Sequence, residues 1–407
     1  MAGSLLPVDE ALAILLDDTR AIANTETLDL IEADGRILSE DLPARVTQPP
    51  FSASAMDGYA VRAADADAAG ALLSVIGTVA AGETPRQTVA PGTAVRIFTG
   101  APLPPGADSV VIQEDCQSVG GDRIKLIEPT KSGSNIRPAG QDFREGLTLL
   151  RQGRRLEARA LSLAAAGGYG TLPVYCRPKI AVLATGDELV PPGEVPGPGQ
   201  ISASAGIALQ SLARANGTQT RDLGIARDNA AAIEAAVASA RAWGADVLIT
   251  IGGASVGDRD LVGPTLQAMG MTLDFWKIAM RPGKPLMVGN LDAMKVLGLP
   301  GNPVSAYVCA LVFAEPLIRR LARLAPRNRL MRAFAAEAIG PNGPRRHYMR
   351  ARFTDRTNAL VAPCSSQDSS LIATLASADC LIVRPPADGP VKPGDPLSVM
   401  MLDPNEP

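Results

Sequence analysis

Three stretches of this 407-residue chain break off in the same way. KIAVLAT (179–185), ADVLITIGG (245–253) and MKVLGLPG (294–301) are continuous apolar runs, and each ends in a glycine-bearing loop. Runs of this length without polar alternation fit strands buried on both faces. A sheet covered on both faces needs helices, and the segments between the runs supply them: one near 204–215, one in NAAAIEAAVASARAWG, one from about 260 and one from Pro303. An extended stretch reaching Ala226 and the run PLMVGN add further strands. Strands alternating with helices predict a doubly wound parallel α/β sheet over residues 178–326.

The flanks have a different grain. Residues 46–146 are rich in Val, Thr, Gly and Pro, with short apolar runs in AVRIFTG, SVVIQED and RIKLIEP, the pattern of a small β-rich domain with many turns. Residues 1–45 read as a helix followed by extended chain, and 147–177 as a helix in LEARALSLAAAGGYG stopped by Gly167 and Gly168. These two blocks are expected to pack together, with the β-rich domain inserted between them. Residues 327–407 turn β-rich again in RHYMRARFTD, ALVAPCS, DCLIVRPP and DPLSVMML, and predict a small barrel or sandwich.

Composition excludes several classes of function. Net charge is −3 and no block of basic residues occurs, so no nucleic acid is expected as a partner. Aromatic residues are 3%, too few for base-stacking platforms. Five cysteines without a CxxC pair argue against a disulfide frame or zinc knuckle and fit a reducing compartment. His347 is the only histidine, so HExxH and His-rich metal sites are excluded, and a Ser–His–Asp triad would have to use it. MAGSLLPVDEALAILLDD has no basic residue ahead of its apolar ones, and reads as a helix starting near Pro7 with Asp9 and Glu10 in its first turn. No apolar run reaches the ~18 residues of a membrane span, so a soluble, cytoplasmic protein is expected.

Ligands of open α/β sheets sit beyond the carboxyl ends of the strands. Three loops at such ends are unusual: TGDEL (185–189), GGASVGDRD (252–260) and GLPGNPVSA (298–306). In the third, Gly301 allows a sharp turn, Asn302 suits an N-cap and Pro303 the first helical position. The amides of Val304 and Ser305 would then be free to hold an anion at the helix end, although an ordinary strand–helix turn has the same residues. In the second loop, Gly252, Gly253 and Gly257 permit close backbone approach and Ser255 offers a hydroxyl. Neither GxGxxG nor GxxxxGKS is present, so no dinucleotide fingerprint or P-loop is expected. Acids beside an anion socket (Asp187, Glu188, Asp258, Asp260) imply an intervening cation such as Mg²⁺, unless they cap helices. Lys277, Arg281 and Lys284, in WKIAMRPGKP, could hold an oxyanion, or simply be solvated.

TGDEL, GGASVGDRD, RPGKP and LPGNPVSA, in that order, resemble the molybdopterin-binding domain of molybdenum cofactor enzymes. PPFSASAMDGYAVRAAD (49–65), GTAVRIFTGAPLPPGADSVVIQED (92–115) and NIRPAGQDFREG (135–146) narrow the match. Together they are similar to the MoeA-type molybdopterin molybdenumtransferase family, related to the C-terminal domain of gephyrin, over about residues 5–403. The resemblance implies insertion of molybdate into adenylated molybdopterin, with Mg²⁺ present and AMP released. It also implies a homodimer of four-domain subunits with an inter-subunit active site. The pathway's adenylyltransferase and recipient molybdoenzymes are possible partners. The domains would be 1–45 with 147–177 (elongated, dimerising), 46–146 (inserted, β-rich), 178–326 (α/β, molybdopterin-binding) and 327–407 (barrel).

Residue by residue, the resemblance places Asp57, Thr99, Asp142, Glu188, Asp228 and Asp260 at catalytic positions. Glu188, Asp258 and Asp260 would face the metal. Gly252, Gly253, Ser255, Gly257, Lys277, Arg281, Lys284, Pro300, Gly301, Asn302, Pro303, Ser305, Arg350 and Ser369 fall on substrate-binding positions, Arg281 replacing a common lysine. The chain departs from the family at Ser52 and Ala53, where Asp–Asn is frequent, and at Ala203, Ser204 and Ala205, where an Asp/Asn–Ser/Thr–Asn run is common. These departures motivate an alternative: a catalytically impaired molybdopterin-binding or scaffold protein. An adenylyltransferase reading fits less well, because that enzyme type usually consists of the sheet domain alone.

Overall fold

The computed structural model describes residues 5–253 and 261–403, which divide into two compact units. One unit runs from Glu26 to Val174; the other joins the residues up to Thr25 with those from Tyr175 onward.

The second of these carries the predicted α/β sheet. Its elements in chain order are α1 (Val8–Asp17), β1 (Lys179–Thr185), α2 (Ala205–Ala215), β2 (Gln219–Ala226), α3 (Ala230–Trp243), β3 (Val247–Ile251), α4 (Val262–Ala268), β4 (Thr272–Trp276), β5 (Met287–Leu291), β6 (Met294–Leu299) and α5 (Pro303–Cys309). The strand order is β2-β1-β3-β6-β5-β4. The first four of these strands are parallel; β5 runs antiparallel to both its neighbours, β6 and β4, so the sheet is mixed rather than purely parallel. The hairpin β5–β6 closes through Asp292 at positive φ, a connection too short for a crossover. All five residues of β3 are buried, as its unbroken apolar sequence requires.

Alternation along the strands sorts the helices. Ile180, Val182, Ile249 and Ile251 face α1, α2 and α5, whereas Ala181, Leu183 and Leu248 face α3 and α4. Asn229 caps α3 by accepting the Ala232 N–H at 2.9 Å, and Gly244 ends it at φ +74°. Helix α1 was grouped by sequence with residues 147–177; it packs in the α/β core instead. Its buried residues Val8, Ala11 and Leu15, spaced three and four apart, form one stripe against the sheet.

Toward the C-terminus, strands 346–355, 360–363, 330–335, 396–401 and 380–384 pair in that order, and the last returns to the first. The result is a closed five-stranded barrel, which leaves no open edge.

In the other unit, residues 26–45 and 147–174 share a core that includes Leu38, Leu42, Leu156, Ala160 and Leu172. The chain between them forms a six-stranded sheet in the order 109–112, 58–61, 93–97, 72–79, 123–126, 116–118. Apolar clusters cover it on both sides.

Candidate functional site

The neighbouring strands β1 and β3 lead to helices on opposite faces, α2 and α4, and their carboxyl ends open a crevice. A cavity of about 770 Å³ lies there. Among its walls are Thr185 at the end of β1 with Gly186 and Glu188 after it, Asp228 after β2, Gly252 and Gly253 after β3, and Pro300, Gly301, Asn302 and Pro303 after β6.

The glycines are needed for space. Gly252 has φ +91°, and a Cβ there would lie 2.7 Å from the Thr185 carbonyl oxygen and 2.8 Å from Thr185 Oγ1. A Cβ on Gly301 would lie 3.6 Å from Gly252 Cα, so the second and third loops meet backbone to backbone. A Cβ on Gly186 would lie 2.6 Å from Glu188 Oε2, so that carboxylate folds over its own loop. Asp187 turns the other way: its Oδ1 accepts the Asp228 N–H at 3.3 Å and lies 3.9 Å from Arg227 Nη1. Of the two acids in TGDEL, Glu188 therefore belongs to the cavity, together with Asp228.

The GNPV turn differs from expectation at its amides. Asn302 occupies the N-cap position without a side-chain capping bond, and its Nδ2 donates to Ser369 Oγ at 3.0 Å. The Val304 N–H is not free; it donates to the Ser369 carbonyl at 3.2 Å. A carbonyl from the barrel region satisfies the donor that sequence left for an anion. Ser305 is buried and does not line the cavity.

The basic loop adjoins the cavity through Pro285, but Lys277, Arg281 and Lys284 are not among the lining residues. Lys277 has φ +66° and stacks 4.5 Å from the Trp276 ring. Arg281 pairs in register with His347 on the barrel strand 346–355. Arg350, on the same strand, is 2% exposed, and its Nη1 donates to the Leu371 carbonyl at 3.2 Å. No carboxylate of the described residues lies within salt-bridge distance of it, and burial lowers its pKa. Ser255, Gly257, Asp258 and Asp260 lie outside the described residues.

Asp57, Thr99 and Asp142 belong to the other unit. Asp57 Oδ1 accepts the Thr99 N–H at 2.8 Å and Thr99 Oγ1–H at 2.7 Å. These two bonds, first the backbone one, hold the Asp57 carboxyl below its ordinary pKa. The following Gly58 is fixed by packing, since a Cβ would lie 1.9 Å from the Val111 carbonyl oxygen. Asp142 donates its N–H to the Gln48 carbonyl at 3.1 Å. Ser52 keeps a polar role, its Oγ accepting the Ala139 N–H at 3.4 Å.

Sequence reasoning passed over part of the wall. Ile201, Leu261 and Ile372 line the cavity as exposed apolar side chains, and Ser370 adds a hydroxyl. Nothing in their spacing signals this, because Ser370 and Ile372 arrive from the barrel region, about 70 residues beyond the LPGNP turn.

Three family models together cover most of the chain. Residues 6–168 match the MoeA N-terminal region (domain I and II), 181–320 a probable molybdopterin binding domain, and 332–402 the MoeA C-terminal region (domain IV). The molybdopterin molybdenumtransferase of Haemophilus influenzae is 39% identical over 317 residues, 78% of each chain. That of Nostoc sp. is 34% identical over 390 residues, 93% of this chain and 89% of the relative. A crystal structure of the molybdopterin biosynthesis MoeA protein from Pyrococcus horikoshii, 30% identical, superposes with a TM-score of 0.85 over 98% of this chain and 100% of that one. The chain belongs to the MoeA family of molybdopterin molybdenumtransferases.

Proposed function

We propose that the chain inserts molybdenum into adenylated molybdopterin, with Mg²⁺ present and AMP released. The observation that carries this reading is the joint placement of a bare-backbone cradle, Gly252 with Gly301, and two carboxylates, Glu188 and Asp228, at one cavity. Glycine at both positions lets a phosphate or pyrophosphate approach the backbone closely, while the Gly252 N–H itself donates to the Leu299 carbonyl at 3.0 Å. Glu188 and Asp228 are hard oxygen donors, and they fit a magnesium ion held by one or two carboxylates with phosphate oxygens completing the shell. Mg²⁺, when bound, would neutralise phosphate charge; the residues themselves bind and orient. Asp258 and Asp260 remain candidate metal-facing acids on sequence grounds. Arg350, buried without a carboxylate partner among the described residues, with Arg281, Lys284 and Lys277 on the adjoining loop, suits the oxyanion molybdate.

The working unit in this reading is a cytoplasmic homodimer in which Asp57, Thr99 and Asp142 of one subunit serve the sheet-edge cavity of its partner. Residues 26–45 with 147–174 would dimerise, 46–146 would carry Asp57, and 178–326 and 327–407 would bind the pterin. The pathway's adenylyltransferase would supply substrate and apo molybdoenzymes would take the product. No helix of the described residues is long and apolar enough to cross a membrane.

One observation favours a second reading. Ala203, Ser204 and Ala205 line the cavity with a single hydroxyl among them, so this wall offers the pterin few hydrogen bonds. A protein that binds molybdopterin without turnover fits that wall. The deciding experiment measures AMP release from adenylated molybdopterin with molybdate and Mg²⁺, then reconstitution of an apo molybdoenzyme. AMP release with active enzyme is the expected result; binding without release by a folded dimer would establish the scaffold reading instead.

A further inference from the structure

The segment 366–372 leaves the barrel, crosses to the N-terminus of α5 and contributes Ser370 and Ile372 to the cavity wall. At its far end the Ser369 carbonyl takes the Val304 N–H at 3.2 Å, and Ser369 Oγ takes Asn302 Nδ2 at 3.0 Å. Within it, the Asp368 carboxylate accepts both the N–H and the hydroxyl of Ser370, at 2.9 and 2.7 Å. At its near end one side chain makes three bonds. Gln367 Oε1 accepts the Arg350 N–H at 2.9 Å, and its Nε2 donates to the carbonyls of Arg350 at 2.9 Å and Cys364 at 3.2 Å. Arg350 Nη1 adds a fourth tie, to the Leu371 carbonyl.

We propose that Gln367 is a positioning residue: its amide clamps the 366–372 strap to the barrel strand, and the strap presents Ser370 and Ile372 to the cavity. This rests on reading that cavity as the molybdopterin site. The chemistry favours an amide. The three partners are two acceptors and one donor of the backbone, which a carboxamide satisfies at once and a carboxylate cannot. With the clamp lost, the segment keeps only its ties to Asn302, Val304 and the Arg350 guanidinium, and the wall that Ser370 and Ile372 form is less firmly fixed. Because the strap touches the bound ligand before and during reaction alike, its loosening weakens binding more than turnover.

The test compares wild type, Gln367→Ala, Gln367→Glu, Ser369→Ala and the double variant Gln367→Ala/Ser369→Ala as full-length protein. The readouts are the Kd for molybdopterin by titration, and KM and kcat for AMP release. Gln367→Ala and Gln367→Glu are expected to raise Kd and KM about tenfold, with kcat at saturation within about twofold. The double variant is expected to be no weaker than the worse single variant, because both act through one strap. Hydrogen exchange of the Val304 amide should quicken in Gln367→Ala without any ligand. Should Gln367→Ala fail to fold, Gln367→Asn, which keeps the amide on a shorter arm, is read in the same way. Unchanged Kd in folded variants, or effects of the two sites that simply add, would overturn the role of Gln367. Wild-type protein that does not bind molybdopterin at all would overturn the functional reading beneath it.

Discussion

At the scale of single residues, Asp57 and Gly252, which belong to different compact units, rest on different physics. Asp57 is exposed, and Thr99 holds its carboxylate ionised through two hydrogen bonds. Its folded pKa lies below the unfolded value, so this carboxylate stays ionised as pH falls through the ordinary range, and its stabilising contribution is lost only at still lower pH. Thr99→Val removes the hydroxyl donor and should move the Asp57 pKa back toward ordinary values, visible in a carboxyl ¹³C titration. Asp57→Asn should nearly abolish cofactor production while the melting temperature stays within a few degrees; unchanged production would remove Asp57 from the site. Gly252, by contrast, is a matter of space and φ. Gly252→Ala places a methyl against Thr185 in a left-handed conformation that costs about 1–2 kcal/mol before the clash is counted. It should weaken molybdopterin binding and lower thermal stability together, as calorimetry with and without ligand would reveal.

At the scale of elements, one buried network ties the helix Glu315–Leu321 to Met401 and Leu402 at the end of the last barrel strand. Glu315 is 2% exposed; its Oε2 accepts Arg329 Nε at 2.5 Å, and its Oε1 accepts Arg329 Nη2, Arg327 Nη1 and Asn216 Nδ2 at 2.9, 3.1 and 3.3 Å. Arg329 in turn donates to the carbonyls of Met401 and Leu402. Burial alone would raise the Glu315 pKa, but its bond to Arg329 and the charges of Arg329 and Arg327 outweigh burial and lower it. Glu315→Ala leaves Arg329 buried and unpaired and should cost about 3–5 kcal/mol in chemical denaturation. Since the folded pKa is depressed, this contribution is present at neutral pH and fades as pH drops through the folded value. The elements themselves were largely legible: α1, α3 and α5 begin at or next to the residues their capping signals indicate, and β1, β3 and β6 coincide with the apolar runs. Strand β4 was not read, because TLDFW is short and four of its five residues are exposed, so it lacks the continuous apolar signature.

At the scale of the molecule, charge and assembly decide behaviour. His347 is buried on the barrel strand, and its pKa is pushed down to about 4, first by burial and then by Arg281, Arg345, Arg384 and Arg350. The unfolded chain, with histidine near 6.5, binds a proton the folded chain refuses. Stability should therefore rise with pH between about 4 and 6.5, and His347→Gln should flatten that part of the melting-temperature profile. Asp57 and Glu188 lie in different compact units. If the proposed dimer shares its sites, mixing inactive Asp57→Asn and Glu188→Gln chains under subunit exchange should restore up to about a quarter to a half of wild-type AMP release. No recovery in verified mixed dimers would place both residues in one subunit's site.

The sequence by itself determined the α/β sheet, the loops at its carboxyl edge and the family, because buried strands, caps and glycine turns are set by residues close together in the chain. It also marked Glu188, Gly252, Gly301 and Asn302 as residues of one edge, with Asp228 added by the family resemblance, and the fold places all five at one cavity. Only the tertiary structure decided that Glu188 rather than Asp187 faces that cavity, that Ser369 takes the Val304 amide, and that Ile372 and Ser370 complete the wall. Each of those outcomes depends on contacts between segments far apart in sequence, or on which way one side chain turns at a strand end. Periodicity and propensity carry no information about either, since packing of the barrel region against the sheet domain selects among turns that are locally equivalent.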